Sequence, residues 1–139
     1  MQVLYTAESR VTGGRDGRAI SSDSALDVAM GMPKELGGGG SAGTNPEQLF
    51  AAGYAACFLS AMKLVSGPMK VSLPASSAIT AQVDIGPNDR GGFGLAVRLQ
   101  VSTPGLDPAS AAAVIAKAHE VCPYSNATRG NIEVTITVV

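Results

Sequence analysis

Hydrophobic positions along the chain follow two periods, and each predicts a different element. From Leu49 to Met62 no residue is charged and apolar side chains fall on every helical face, the pattern of a buried helix. Its start lies near Asn45: Thr44 or Asn45 can cap, Pro46 suits the first helical position, and Glu47 favours a first turn of free N–H groups. It should run to about Val65, with Gly67-Pro68 as the stop. A period of two appears in Ile79–Ile85 and Phe93–Val101, with PNDRGG as the turn between them, which predicts an antiparallel hairpin with one buried face. Asn131–Val139 alternates through Ile132, Val134, Ile136 and Val138 as a closing strand. Between these, Asp107 and Pro108 open a second helix with a stripe of Val114, Ile115, Ala118, Val121 and Cys122, and Pro123 ends it. Upstream, Val3–Glu8, Ala19–Ser22 and Leu26–Met30 read as short strands, the first two joined through the turn TGGRDG. Residues 31–44 are Gly-rich and aperiodic, a loop able to serve as a lid. The order ββ(β)-α-ββ-α-β is an α+β fold with antiparallel sheet and a buried central helix.

Length and charge narrow the picture. The 139 residues fit one domain, 1–139, and a formal charge of −1 gives no electrostatic case for a nucleic-acid partner. No unbroken run of eighteen or more apolar residues is present, and MQVLYTAESR lacks the form of a secretory signal, so a cytoplasmic, membrane-free protein is expected. Trp is absent, which leaves the core to Ala, Val, Leu, Ile and Met.

Two cysteines far apart in such a chain point to chemistry more than to a structural staple. Cys57 lies three turns into its helix, too deep for the helix dipole, and apolar neighbours raise its pKa by desolvation, so left alone it is inert. A functional Cys57 requires a cation from elsewhere. Arg15, in the turn, is the first candidate, with Arg18 and Arg129 behind it, and Glu47 is either a first-turn carboxylate or a clamp orienting the Arg15 guanidinium. Cys122 follows His119 by one helical turn. With Cys57 these give three possible zinc ligands, but no cysteine pair has metal-ligand spacing; CxxC and phosphate-loop patterns are also absent. Phe50, Tyr54, Phe58 and Met62, with the Met30/Met32 region, can line an apolar channel or simply form core.

The stretches TGGRDGRAISSD, GTNPEQLFAAGYAACF, GGFGL and AHEVCPYSNATRGNIEV carry more. Through them nearly the whole chain resembles the organic hydroperoxide resistance (Ohr) proteins of the Ohr/OsmC superfamily. The resemblance implies an OsmC-like fold in an intertwined homodimer and a thiol peroxidase without metal or prosthetic group. It makes Cys57 the peroxidatic and Cys122 the resolving cysteine, Arg15 the catalytic arginine and Glu47 its carboxylate partner. Organic hydroperoxides are then the substrates, and lipoyl groups on proteins the dithiol reductant. A redox sensor and a non-enzymatic carrier of apolar ligands are the alternatives. Helix geometry adds one expectation: ten residues, about 15 Å of rise, separate Glu47 from Cys57, so a site using both draws Glu47 from the second subunit of a two-fold dimer.

Overall fold

The turn Gly13–Gly17 sets the register of the first sheet in the computed structural model, which describes all 139 residues. Any side chain at Gly17 would put a Cβ 1.6 Å from the Thr12 carbonyl oxygen, so the close approach here demands glycine. Gly13 and Gly14 both take positive φ, and residues 14–16 form a single 3-10 turn. The chain therefore reverses with Thr12 opposite Arg18, pairing β1 (Ser9–Thr12) with β2 (Arg18–Ser21) in antiparallel register. Strand β3 (Asp27–Ala29) adds to the far edge of β2, also antiparallel. The expected strand Val3–Glu8 is thus displaced to Ser9–Thr12. The reason is length: β2 ends at Ser21, the last rung is Ser22 N–H to the Glu8 carbonyl at 2.9 Å, and nothing remains for Val3–Ala7 to pair with. Leu4 and Tyr5 stay 91% and 80% exposed.

The Gly-rich stretch 31–44 is more ordered than its composition predicts. It contains a 3-10 turn at Lys34–Leu36, and its ends are tied by a parallel bridge between Met30 and Thr44. Around that bridge Gly31 N–H donates to the Thr44 carbonyl at 2.8 Å and Thr44 N–H to the Ala29 carbonyl at 2.9 Å. These elements belong to a compact unit, Met1–Leu49; Phe50–Val139 forms a second.

Helix α1 (Pro46–Ser66) is continuous over 21 residues. The Asn45 side-chain carbonyl accepts the Gln48 N–H at 2.8 Å, the cap expected from sequence. The charge-free stretch predicts burial all round, but one face is buried: Tyr54, Phe58, Ala61, Met62 and Val65 pack with Val97, Leu99 and Val101 and with Val114, Ile115 and Ala118. On the other side Ala52, Ala56 and Ser60 are exposed, and Leu64 is 70% exposed. The helix is also long and apolar enough, by length and composition, to cross a bilayer, which corrects the expectation drawn from unbroken apolar runs. Small and weakly polar residues interleave its apolar ones, so average and run give different answers. The packed face is that of a core helix.

The second sheet is built on β5 (Phe93–Ser102), paired antiparallel with β4 (Ala78–Pro87) and parallel with β6 (Glu133–Val138). That last pair departs from the all-antiparallel expectation. Alternation identifies a strand but not its direction; here two helices, α2 (Pro108–Val121) and α3 (Pro123–Thr128), form the crossover that lets β6 return parallel to β5. Asp107 caps α2, accepting from the N–H groups of Ala109 and Ser110 at 3.1 Å. Pro123 does end α2, but it also opens α3 at the first helical position, where proline is favoured. The residue before a proline is pushed toward extended geometry, and Cys122 obeys, with φ −63° and ψ 122°. The architecture is α+β, with small sheets and a helix packed across the second.

Leu99, at the centre of β5, is fully buried. Leu99→Ala should cost about 2–5 kcal/mol through lost burial and the cavity left behind, read as a lower urea midpoint with an unchanged slope.

Candidate active site

Two pairs of the sequence-nominated residues meet, each within its own unit. In Phe50–Val139 the pair is Cys57 and Cys122. Cys57 sits on α1 beside the core face, half-buried; Cys122 sits at the α2–α3 elbow and is fully buried. Their sulfurs are 3.5 Å apart, with the Cys122 thiol directed at Cys57, and both are free thiols. This is non-bonded contact, about 1.5 Å longer than a disulfide and close enough to form one with a small shift.

The electrostatics of Cys57 are opposed. Burial, the largest effect, pushes its pKa up from 9.0; the Tyr124 backbone N–H pulls it down; and the hydrogen bond and charge interaction with Cys122 raise it again. The net direction is upward. Within Phe50–Val139, then, Cys57 is a poor nucleophile, as its helix position predicted.

In Met1–Leu49 the pair is Arg15 and Glu47. The Arg15 guanidinium donates from Nη1 and Nη2 to the two Glu47 carboxylate oxygens at 2.8 and 2.6 Å, a two-pronged contact. Arg15 comes from the 3-10 turn and Glu47 from the first turn of α1. Hydrogen bonding to Arg15 is the main reason the Glu47 carboxyl is held below its ordinary 4.5. The two reserve cations are engaged elsewhere. Arg18 pairs with Asp27 at 2.7 and 2.9 Å, and Arg129 donates to Asn126 Oδ1 at 2.7 Å and to the His119 carbonyl.

His119 does not face a set of metal ligands. Its Nδ1 lies 2.9 Å from Ser125 Oγ, burial and then the Arg129 charge lower its pKa, and no three His, Cys, Asp or Glu side chains cluster anywhere in the chain. Of the apolar candidates, Tyr54, Phe58 and Met62 are fully enclosed in the core, whereas Phe50 lines a cavity of about 310 Å³ with Leu95, Tyr124, Ala127, Thr128, Asn131 and Ile132. Met30 is buried, and Met32 N–H donates to Asp16 Oδ1 at 3.2 Å. Sequence reasoning did not single out Tyr124. It touches Phe50 and Tyr54 at ring separations of 5.8 and 5.7 Å, and it packs so closely on α1 that a Cβ at Gly53 would lie 2.9 Å from its hydroxyl. The signal was Pro123, readable as a helix start as well as a stop.

Residues 37–137 match the OsmC-like protein family. An organic hydroperoxide resistance protein of Xanthomonas axonopodis pv. citri is 58% identical over 99% of this chain and 96% of its own. The chain belongs to the OsmC-like family, in its Ohr group. Among other members, OhrA of Bacillus subtilis is 45% identical, covering 99% of this chain and 97% of its own. The crystal structure of an organic hydroperoxide resistance protein from Elizabethkingia anophelis superposes with a TM-score of 0.93 at 49% identity, covering 99% and 98% of the two chains.

The lowered Glu47 pKa sets a pH dependence. A carboxyl whose folded pKa lies below its unfolded value contributes stability present above about 4.5 and lost as pH falls through the folded value. Glu47→Gln should therefore reduce stability near neutral pH by up to about 1 kcal/mol. The gap from wild type should close below that 4.5 in urea titrations run across pH.

Proposed function

We propose that this protein is a cysteine-based peroxidase that reduces organic hydroperoxides to alcohols. The observation that carries the reading is the 3.5 Å contact between two free thiols of unequal exposure. In this reading the Cys57 thiolate attacks the terminal peroxide oxygen and the O–O bond breaks. Cys57 becomes a sulfenic acid, and the alkoxide takes a proton to leave as the alcohol. The Cys122 sulfur then attacks the Cys57 sulfur, the disulfide closes, and the sulfenic oxygen leaves as water. A dithiol returns both cysteines to thiols and is itself oxidised to a disulfide; lipoyl groups on proteins are the proposed donor.

Burial raises the Cys57 pKa, so the first step needs a cation, and Arg15 is the proposed one. Its charge stabilises both the thiolate and the developing alkoxide. Glu47 fixes its orientation by the two-pronged contact. Ten residues of continuous helix, about 15 Å of rise, separate Glu47 from Cys57, so one helix does not bring both to one arginine. We therefore assign Glu47 and Cys57 of each site to different subunits of an intertwined homodimer. The exposed apolar side of α1 supports such a partner, since an uncovered stripe of this kind favours association. Of the four apolar candidates, Phe50, which lines the cavity, is proposed to receive the organic part of the substrate, while Tyr54, Phe58 and Met62 are enclosed in the core. The whole chain, 1–139, acts as one functional domain without metal or prosthetic group, and its free thiols suit a reducing cytoplasm.

The cysteines should prove unequal. Cys57→Ser should abolish reduction of cumene hydroperoxide with dihydrolipoamide as donor. Cys122→Ser should consume about one equivalent per site and then stall or over-oxidise. Equal residual turnover in the two variants would sink the assignment, and a carrier would lose no thiols to peroxide at all.

The dimeric site is tested by co-refolding Cys57→Ser with Glu47→Ala chains. With sharing across the interface, one site of the heterodimer loses both groups and the other keeps both, so activity rises toward half of wild type. No recovery in verified heterodimers would mean that Glu47 serves its own chain.

A further inference from the structure

Beside the two sulfurs, four polar side chains form one continuous hydrogen-bonded chain at the α2–α3 elbow. His119 Nδ1 lies 2.9 Å from Ser125 Oγ, Ser125 Oγ lies 3.0 Å from the Tyr54 hydroxyl, and that hydroxyl lies 3.2 Å from Thr128 Oγ1. Thr128 Oγ1 donates in turn to the Tyr124 carbonyl at 2.9 Å. Tyr54 and Ser125 are fully buried and Thr128 nearly so.

The direction of the chain follows from the proton inventory. A backbone carbonyl only accepts, so the Thr128 hydrogen goes there and Thr128 Oγ1 accepts from Tyr54. Tyr54 has a single proton, so it accepts from Ser125, and Ser125 in turn accepts from His119 Nδ1–H. Neutral His119 is thereby held with its hydrogen on Nδ1. Protonated His119 keeps that hydrogen, so the chain persists in both charge states.

Three enclosed hydroxyls are a costly way to glue helices together, because each must be bonded to offset its lost hydration. Their placement explains what apolar packing would not provide. Tyr54 precedes Cys57 by three residues on α1, and His119 precedes Cys122 by three on α2. Ser125 follows Cys122 by three on α3 and bonds to both. Each cysteine is therefore tethered one helical turn away, through a common serine, to the carrier of the other. Arg129 reinforces the elbow by donating to the His119 carbonyl.

We propose that His119, Ser125, Tyr54 and Thr128 form a positioning latch that holds the Cys122 sulfur against the Cys57 sulfur and so governs disulfide closure, not peroxide attack. The proposal rests on the peroxidase reading. Closure moves the sulfurs from 3.5 Å to about 2.05 Å as the sulfenic oxygen leaves with a proton as water. A second peroxide competes by carrying Cys57 to the sulfinic acid. A latch that shortens the wait for Cys122 protects against that branch.

The test treats reduced protein first with one equivalent and then with excess cumene hydroperoxide, following thiol loss, and the disulfide and sulfinic fractions by mass spectrometry. Ser125→Ala, nearly isosteric, should consume the first equivalent at close to the wild-type rate. It should close the disulfide about tenfold more slowly, the rate equivalent of roughly 1.4 kcal/mol, and accumulate sulfinic acid under excess peroxide. Thr128→Val should slow closure in the same sense, while Thr128→Ser, which keeps the hydroxyl, should close like wild type. If Ser125→Ala fails to fold, the Thr128 pair decides alone. Closure at the wild-type rate in Ser125→Ala and Thr128→Val, or equal slowing by Thr128→Val and Thr128→Ser, overturns the latch while wild type still forms its disulfide. A wild type that loses no thiols overturns the peroxidase reading instead.

Discussion

Burial of Cys57 is the constraint on which the rest of the structure turns. The α1 face that carries Tyr54, Phe58, Ala61, Met62 and Val65 packs the second sheet and α2, and Cys57 lies at its margin. A sulfur placed there holds its proton, since the desolvated thiolate lacks the water that would stabilise it. The position gives shelter from bulk solvent and contact with a second sulfur, and it costs the ionisation that makes a thiol react. Within Phe50–Val139, what the Cys57 surroundings lack is positive charge.

In the proposed site that charge comes from Arg15, and it is held in a conditioned form. Arg15 sits on a turn whose glycines leave little choice of path, and Glu47 locks its guanidinium in one plane. A free arginine would pay entropy to settle beside a thiolate; a clamped one has settled already. The clamp also weakens the benefit, because the Glu47 charge opposes Arg15 at longer range. In the proposed site such a pair would act on a thiolate only at short distance and with the guanidinium edge presented, which makes orientation, rather than net charge, the property assigned to Glu47.

Much of this was legible in the sequence, for identifiable reasons. The Asn45 cap, the Asp107 cap and the β4–β5 hairpin are local: a cap needs one oxygen near a few N–H groups, and a hairpin needs alternation and a turn, all within a short window. The Arg15–Glu47 contact is not local: residue chemistry offered it as one of two readings of Glu47, and the family resemblance favoured it. The failures are also physical. The limit of β1 is set by where β2 ends, the direction of β6 by the crossover, and the one-sided burial of α1 by the absence of any cover for Ala52, Ala56 and Leu64 within the chain. Helix α3 was missed because Pro123 has two meanings, stop for the helix before and start for the helix after. The hydroxyl chain through Ser125 was invisible for the same reason, since without α3 nothing aligns Ser125 and Thr128 on one face.

The double role of Pro123 links these points. By forcing Cys122 into extended geometry it turns the chain between α2 and α3, and the bend aims the Cys122 thiol at Cys57 while leaving the sulfur without solvent exposure. In the proposed cycle this difference in exposure orders the chemistry. A thiol with no path to solvent is shielded from peroxide and meets only what forms on its neighbour, so Cys122 remains reduced until Cys57 has been oxidised. Placing both thiols at the surface would leave each open to peroxide and to sulfinic acid. Enclosing one and half-enclosing the other makes reaction order a consequence of packing, and a single X–Pro bend in the chain is enough to encode it.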